Sequence, residues 1–329
     1  MDLKKLITTV GLIVALAGGT LLQKACYPSV LPYPRENGTI EVLFSQTDNC
    51  SDRLEDLLSN AQGIKTALYD LDYEKVIDLL NQKSADLLID EDNYFGMGQE
   101  IKGSGLMHNK FWIFYDINGT DYIATGSLNP TKRGFLMNDN NLVIISSKYL
   151  KANYEDEFNE LQSKGKDLPT IYQKIIFNNN LLENYFCPDD NCEEKVLVTL
   201  KKARNSIYFM DFSFTSDPIG DYLISEKDKL DIKGVFEEQQ AKSQKSYTEY
   251  YKMLDNNMNV RFDGNKYNMH HKVFIIDNQT VITGSYNPTK GGNERNDENI
   301  LIIHDKRIAK EFLKEFERVW ELAKTNYLN

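Results

Sequence analysis

Short apolar runs alternate with longer stretches of mixed apolar and polar residues through the C-terminal half of the chain. The pattern predicts a helix over Glu193–Arg204, a strand over Ile207–Phe214, a helix near Ile219–Ser225 and a strand over Ile232–Glu237. A helix at Tyr247–Asn256 precedes strands at Val260–Phe262, Met269–Ile276, Val281–Thr283 and Ile300–Ile303. A helix over Lys306–Lys324 closes the segment. Alternation of this kind predicts an α/β domain with helices on both faces of a mixed sheet.

The same blocks occur earlier in the same order. "FSQTDNC" (Phe44–Cys50) returns as "FCPDDNC" (Phe186–Cys192), and "MNDNNLVII" (Met137–Ile145) returns as "RNDENILII" (Arg295–Ile303). "HNKFWIFYDINGTDYIATGSLNPTKRG" from His108 returns as "HHKVFIIDNQTVITGSYNPTKGG" from His270. In the closing helices Tyr154, Phe158 and Leu161 fall opposite Phe312, Phe316 and Val319. Four blocks in one order mark a duplicated domain. The copies are expected at residues 39–168 and 181–329, with a boundary near Ser163–Gln173 where Gly165 and Pro169 end a helical pattern. The second copy carries an extra stretch, "SQKSYTEYYKMLDNNMNVRF" (Ser243–Phe262), that reads as a helix and a strand. The first has a glycine-containing loop there, "YFGMGQEIKGSG" (Tyr94–Gly105).

Charged residues make up 26% and hydrophobic residues 41% of the 329, the balance of a globular protein. The first 25 residues depart from it. Lys4 and Lys5 precede an uncharged run, Leu6–Leu22, which predicts a signal peptide or N-terminal membrane anchor over residues 1–25. The expected location is extracytoplasmic, secreted or anchored through residues 6–22. Export permits disulfides among Cys26, Cys50, Cys187 and Cys192, and "CPDDNC" could close a small loop between the last two. It also permits glycosylation at the sequons of Asn37, Asn49, Asn118 and Asn278. The formal charge of −11 argues against a surface built for polyanions, although a local basic cleft remains compatible with it.

In a regular strand residues i and i+2 share a face, so His108 and Lys110 project together, as do His270 and Lys272. His271, like Asn109, then turns to the opposite face as a packing or supporting residue. A neutral imidazole can attack phosphorus, and a protonated one can give its proton to a leaving alkoxide. Lys110 and Lys272 carry positive charge for phosphate oxygens. Ser127, Asn129, Ser285 and Asn287 add hydrogen-bonding groups after Gly126 and Gly284, whose freedom permits tight turns. Neither a metal nor another cofactor is expected, because each lysine would repel a cation and no carboxylate cluster accompanies the histidines.

Paired H-x-K…G-S-x-N motifs in a duplicated α/β chain resemble the phospholipase D superfamily. The second copy fits H-x-K-x4-D…G-S-x-N in full, with Asp277 at the aspartate position; in the first, Tyr115 stands there and Asp116 follows. The resemblance covers nearly everything after residue 38. It implies two phospholipase D-like domains, each a mixed sheet flanked by helices, with pseudo-twofold symmetry around one shared cleft in a monomer. It implies a phosphohistidine intermediate with His108 as nucleophile and His270 as acid, and structural roles for Asp116 and Asp277. It also implies an acidic residue downstream of G-S-x-N that orients a histidine. Glu298 holds that position in the second copy and Asn140 in the first, and which histidine Glu298 touches stays open.

The superfamily includes phospholipases, nucleases and phospholipid synthases, all acting at a phosphodiester. Export, the anchoring run and an acidic surface favour hydrolysis of a phospholipid head group at a membrane. The alternatives are a metal-independent endonuclease on DNA or RNA, and an inactive binding protein that keeps the fold. Lys132, Arg133, Lys290 and Arg295 either line a phosphate-binding cleft or sit on solvated loops.

Overall fold

The computed structural model describes residues 33–163, 165 and 169–324. The run Leu6–Leu22 and Cys26 lie outside the described residues. The chain begins with β1 (Arg35–Glu36), β2 (Ile40–Phe44), α1 (Cys50–Asn60), β3 (Gly63–Leu68), α2 (Glu74–Gln82), β4 (Asp86–Asp90) and β5 (Gln99–Ile101). It continues with β6 (Lys110–Ile117), β7 (Thr120–Gly126), α3 (Lys132–Leu136), β8 (Asn141–Ile145) and α4 (Lys148–Ser163). The second half runs through β9 (Lys174–Phe177), β10 (Asn180–Cys187), α5 (Cys192–Leu200), β11 (Ser206–Asp211), α6 (Asp217–Glu226) and β12 (Asp231–Phe236). Then come α7 (Glu238–Ser243), α8 (Glu249–Asp255), β13 (Asn259–Phe262), β14 (Lys272–Ile276), β15 (Thr280–Gly284), α9 (Lys290–Glu294), β16 (Glu298–Ile303) and α10 (Lys306–Leu322).

The duplication is written in the sheet order. The first sheet runs β2-β8-β7-β6-β3-β4-β5, and the second repeats it as β10-β16-β15-β14-β11-β12-β13, with β9 and β1 added at one edge. In both, the last three strands of the repeated order are parallel and the other four antiparallel, so each sheet is mixed; the added β1 pairs with β9 in parallel. The second sheet therefore reaches beyond the expected 181–329. β9 joins β10 through a turn at Asn178 and Asn179, both at positive φ (50° and 64°), and β1 adds to β9.

Strand alternation sets the layers. Phe111 and Ile113 of β6 face one buried cluster and Trp112 and Phe114 another; Val273 and Ile275 of β14 likewise part from Phe274 and Ile276. The cluster shared by both sheets also takes in Tyr154 and Phe158 of α4 with Phe312 and Phe316 of α10. The closing helices of the two halves thus fill the space between the sheets, while α1 and α2 cover one outer face and α5, α6 and α8 the other. The predicted elements recur within a few residues. Two departures matter: the extra stretch of the second half holds two helices, α7 and α8, and β14 starts at Lys272 rather than Met269.

A disulfide joins Cys187 to Cys192, whose Cα atoms are 5.6 Å apart, tying the end of β10 to the start of α5. In the first half Ser45 stands opposite Cys187, and Cys50 is a buried free thiol pushed up to about 12 by burial and by Asp48. Among the described residues no helix is long and apolar enough to cross a membrane.

Candidate active site

The histidines precede their strands because each H-x-K segment is drawn across to the other half. Met107 bridges Asp297, and Asp139 bridges Met269. The His108 amide donates to the Asp297 carbonyl and the His270 amide to that of Asp139, each at 2.9 Å. The crossing decides which residue orients which ring. Glu298 Oε2 lies 2.7 Å from His108 Nδ1, and Asn140 Oδ1 lies 2.8 Å from His270 Nδ1, with the Ser127 carbonyl at 3.0 Å. Each histidine is therefore held by the half that does not carry it, and Glu298 belongs to His108. With Nδ1 occupied on both rings, Nε2 is the nitrogen left for a substrate.

The rings are packed edge-on by Tyr69 (4.8 Å between centroids) and Phe212 (4.7 Å), the residues that follow β3 and β11. Lys110 and Lys272 lie beneath the cleft wall rather than on it. Lys110 Nζ donates to the His108 carbonyl at 2.6 Å, and Lys272 Nζ to the His270 carbonyl at 2.9 Å. Both lysines are buried, with their ammonium groups over the Tyr69 and Phe212 rings. Asn129 and Asn287 line the cleft, and Oδ1 of neither is hydrogen-bonded.

Ser127 and Ser285 differ from expectation. Their hydroxyls are fully buried and accept the backbone N–H groups of Asn141 (3.0 Å) and Asn299 (2.9 Å), so they staple the loop instead of facing a ligand. Gly126 and Gly284 are required just before them. Their φ values are 144° and 151°, and a Cβ would come within 2.4 Å of the Asn141 carbonyl oxygen and 2.1 Å of that of Asn299.

The supporting acids also part company. Asp277 gathers the N–H groups of Arg204, Asn205 and Ser206 (2.7–2.9 Å), anchoring the loop before β11. Asp116 accepts only within its own turn, from Gly119 at 2.8 Å. His271 lies in the seam between the halves, fully buried. Its Nε2 is 2.9 Å from Glu315 Oε1 and its Nδ1 3.2 Å from Asn141 Nδ2. Asn109 repeats this arrangement with Glu157 and Asn299.

The cleft between the halves measures about 450 Å³ and is walled by polar groups, among them Asp70, Arg133, Ser213 and Thr289. Of the basic residues marked in the sequence, Arg133 lines it, whereas Lys132, Lys290 and Arg295 do not. Burial pushes both histidines well below the usual imidazole range, with Lys110 and Lys272 adding to the effect, so the surroundings favour neutral rings. Burial also lowers Lys110 strongly and Lys272 to about 7. It raises Glu298 to about 8, against the pull of Lys110. Asp211, paired in register with Lys272, is held well above the carboxylate range by burial. Among the described residues no three or more His, Cys, Asp or Glu side chains are gathered to hold a metal.

Tyr69, Phe212 and Asp211 were not singled out by sequence. Their signal was available: the repeats align Tyr69 with Phe212 immediately after matched strands, although an aromatic there reads as core. The set can act as a nucleophile and a proton donor on opposite sides of one phosphorus, each held by a different partner.

A family model described as cardiolipin synthase, PLD-like domain, matches residues 40–162 and 196–320. Phospholipase D of Rickettsia typhi is 29% identical over 158 residues, covering 48% of this chain and 74% of its own. Mitochondrial cardiolipin hydrolase of Chlamydomonas reinhardtii is 26% identical over 173 residues, covering 49% of this chain and 76% of its own. The solved phosphatidylserine synthase of Haemophilus influenzae shares the fold, with a TM-score of 0.64 over 87% of this chain and 86% of that one at 12% identity.

Proposed function

We propose, because the chain belongs to the family of cardiolipin synthase PLD-like domains, that this phosphodiesterase works through a phosphohistidine on His108. The observation that carries the reading is the crossed and unequal support of the two rings, a carboxylate on His108 and a neutral amide on His270. His108 Nε2 attacks phosphorus, the bond to the leaving oxygen breaks, and a proton on His270 Nε2 passes to that oxygen. An anionic phosphodiester beside His270 favours its protonated form, against the effect of burial and the two lysines. Water then attacks from the vacated side, His270 takes its proton, and the N–P bond breaks to restore His108. Asn129 and Asn287, with the buried ammonium groups behind the rings, stabilise charge on the transferring oxygens.

For substrate we propose a phospholipid head-group ester, cleaved outside the cytoplasm at a membrane surface. The names of the Rickettsia and Chlamydomonas relatives and the Lys4–Leu22 segment support this. The polar walls of the cleft favour a second reading, a nucleic-acid strand. The test is to mix the His270→Ala protein with a nitrophenyl phosphodiester, quench, and sequence the peptides by mass spectrometry. A phosphoryl adduct on the peptide carrying His108 is expected; an adduct elsewhere, or none during turnover, refutes the mechanism. Assay on phospholipid vesicles and single-stranded DNA in parallel, with chelator present, decides the substrate. Release of head group without DNA cleavage is expected.

A further inference from the structure

A residue that orients a histidine ring has to be held in its turn, and the two halves hold theirs differently. Asn140, which orients His270, is gripped by the residue that follows β2. Ser45 donates its amide to the Asn140 carbonyl at 3.1 Å; its Oγ accepts the Asn140 amide at 2.9 Å and donates to the Asn138 carbonyl at 2.6 Å. The Asn140 side chain is tethered as well, Nδ2 donating to the Gly134 carbonyl at 3.0 Å. Glu298, which orients His108, has no such tether: Oε2 meets the ring and Oε1 has no hydrogen bond. Its carboxylate is only as well placed as the backbone beneath it. Glu298 is the first residue of β16, and pairing with β15 extends only to Ile300. On the other side the strand partner is β10, and the residue in register with Glu298 is the last of that strand, Cys187.

Cys187 stands where the first half has Ser45, and Cys192 where it has Cys50. Sulfur is a weak acceptor beside the serine oxygen it replaces. The second half has a covalent bond there. Cys187 and Cys192 are joined and buried, and Cys192 opens α5, whose Val196 and Leu200 pack in the same outer cluster. The turn between the two cysteines does not need the cross-link to form. Asp190 Oδ2 accepts the Phe186 amide at 2.9 Å, as Asp48 Oδ2 accepts that of Phe44 at 2.8 Å, and the first half makes its turn with Cys50 a free thiol. What the bond adds is an anchor at the strand position beside Glu298. We propose that Cys187 is a positioning residue for the nucleophile: its disulfide to Cys192 holds the start of β16 so that Glu298 stays on His108 Nδ1, the task that Ser45 performs for Asn140 and His270. The kinetic effect of that anchor rests on the reading of His108 as nucleophile; the hydrogen bond it protects does not.

Cys187→Ala and Cys187→Ser test it as a pair. Both lose the cross-link and both leave Cys192 a thiol, but the serine variant recreates the Ser45 and Cys50 arrangement of the first half. The first turnover of a nitrophenyl phosphodiester, followed by rapid mixing, reads the attack of His108 alone, because that leaving group needs no proton. Cys187→Ala should slow it about tenfold and flatten its rise with pH, and Cys187→Ser should recover most of the loss. Equal rates in the two variants, or an alanine variant as fast as wild type, overturn the proposal. Ser45→Ala gives the same test from the other half, and serves alone should Cys187→Ala fold poorly. It should slow alkyl diesters about tenfold and leave the nitrophenyl first turnover within about twofold of wild type. Equal slowing of both esters would mean a general loosening and overturns the proposal too. The hydrogen bond is read without turnover from the His108 Nδ1 proton resonance above about pH 8, where the Glu298 carboxylate accepts it, assigned by its absence from His108→Ala. It should persist in Cys187→Ser and broaden by exchange in Cys187→Ala. If the phosphoryl group is trapped elsewhere than on His108, the phosphohistidine reading fails while the resonance still decides the anchor: a signal unchanged in Cys187→Ala refutes it.

Discussion

The two halves share one strand order, one pair of crossing segments and one glycine–serine staple, yet they differ at the few positions that touch the histidine rings. The first half offers Asn140 to His270; the second offers Glu298 to His108. The first half sets Asp70 in the cleft after Tyr69, where the second sets Ser213 after Phe212. The difference teaches that a duplicated scaffold gives two matching mounts, and that one carboxylate against one amide gives the mounted rings unlike partners.

Replacing the rings should break the comparison most severely. His108→Ala should lower turnover by about 10⁴ on both nitrophenyl and alkyl diesters, since no covalent intermediate can form. His270→Ala should do the same on alkyl diesters yet retain much more activity on the nitrophenyl ester, whose departure needs no proton, with a burst of nitrophenol ahead of the slower hydrolysis step in which His270 is the base. Equal losses on both esters for both variants would remove the division of labour.

The orienting residues sharpen it. Glu298→Gln should cost about 10² in kcat, and Asn140→Asp much less. The pH profiles supply the sign. Below about 8 Glu298 keeps its proton and donates to His108 Nδ1, which leaves the ring proton on Nε2 and blocks attack. Above it, the carboxylate accepts from Nδ1 and frees the Nε2 lone pair. The rate on the nitrophenyl ester should therefore rise with pH through about 8, and Glu298→Gln should flatten that rise. Alkyl esters also need a protonated His270, which burial resists, so their optimum should lie at lower pH. Asn140→Asp should move that optimum upward, because a carboxylate there favours the imidazolium. A wild-type profile that is flat across this range would discard the assignment.

The mildest effect is expected in the seam. His271→Ala removes contacts to Glu315 and Asn141 in the seam and none to the reacting rings, and should cost about 1–3 kcal/mol of stability while kcat per folded molecule stays within about threefold. Chemical denaturation and active-site titration of the same samples check both numbers.

The duplication, the sheet composition and both H-x-K pairs were legible because repeats and alternation survive in sequence. Which ring Glu298 serves was not, since it depends on bridges such as Met107 to Asp297 that join residues distant along the chain. The serine hydroxyls and lysine ammonium groups read as ligands to a phosphate because their chemistry suits it. Their burial follows from the turn at Gly126 and from the carbonyls of His108 and His270, neither of which composition or spacing records. The mixed rhythm of Ser243–Phe262 showed that something was inserted, but not that two helices, α7 and α8, form there.

The crossing has a consequence for how such a molecule could be assembled from smaller ones. Because each half orients the ring of the other, the contact between them is reciprocal, the arrangement of an isologous dimer in which residue i meets j and j meets i. A self-paired second half would place a glutamate on both imidazoles, and a self-paired first half would place an asparagine on both. Unlike mates require two unlike copies, and this polypeptide carries both, so each ring meets a partner that self-pairing of either half would not give it.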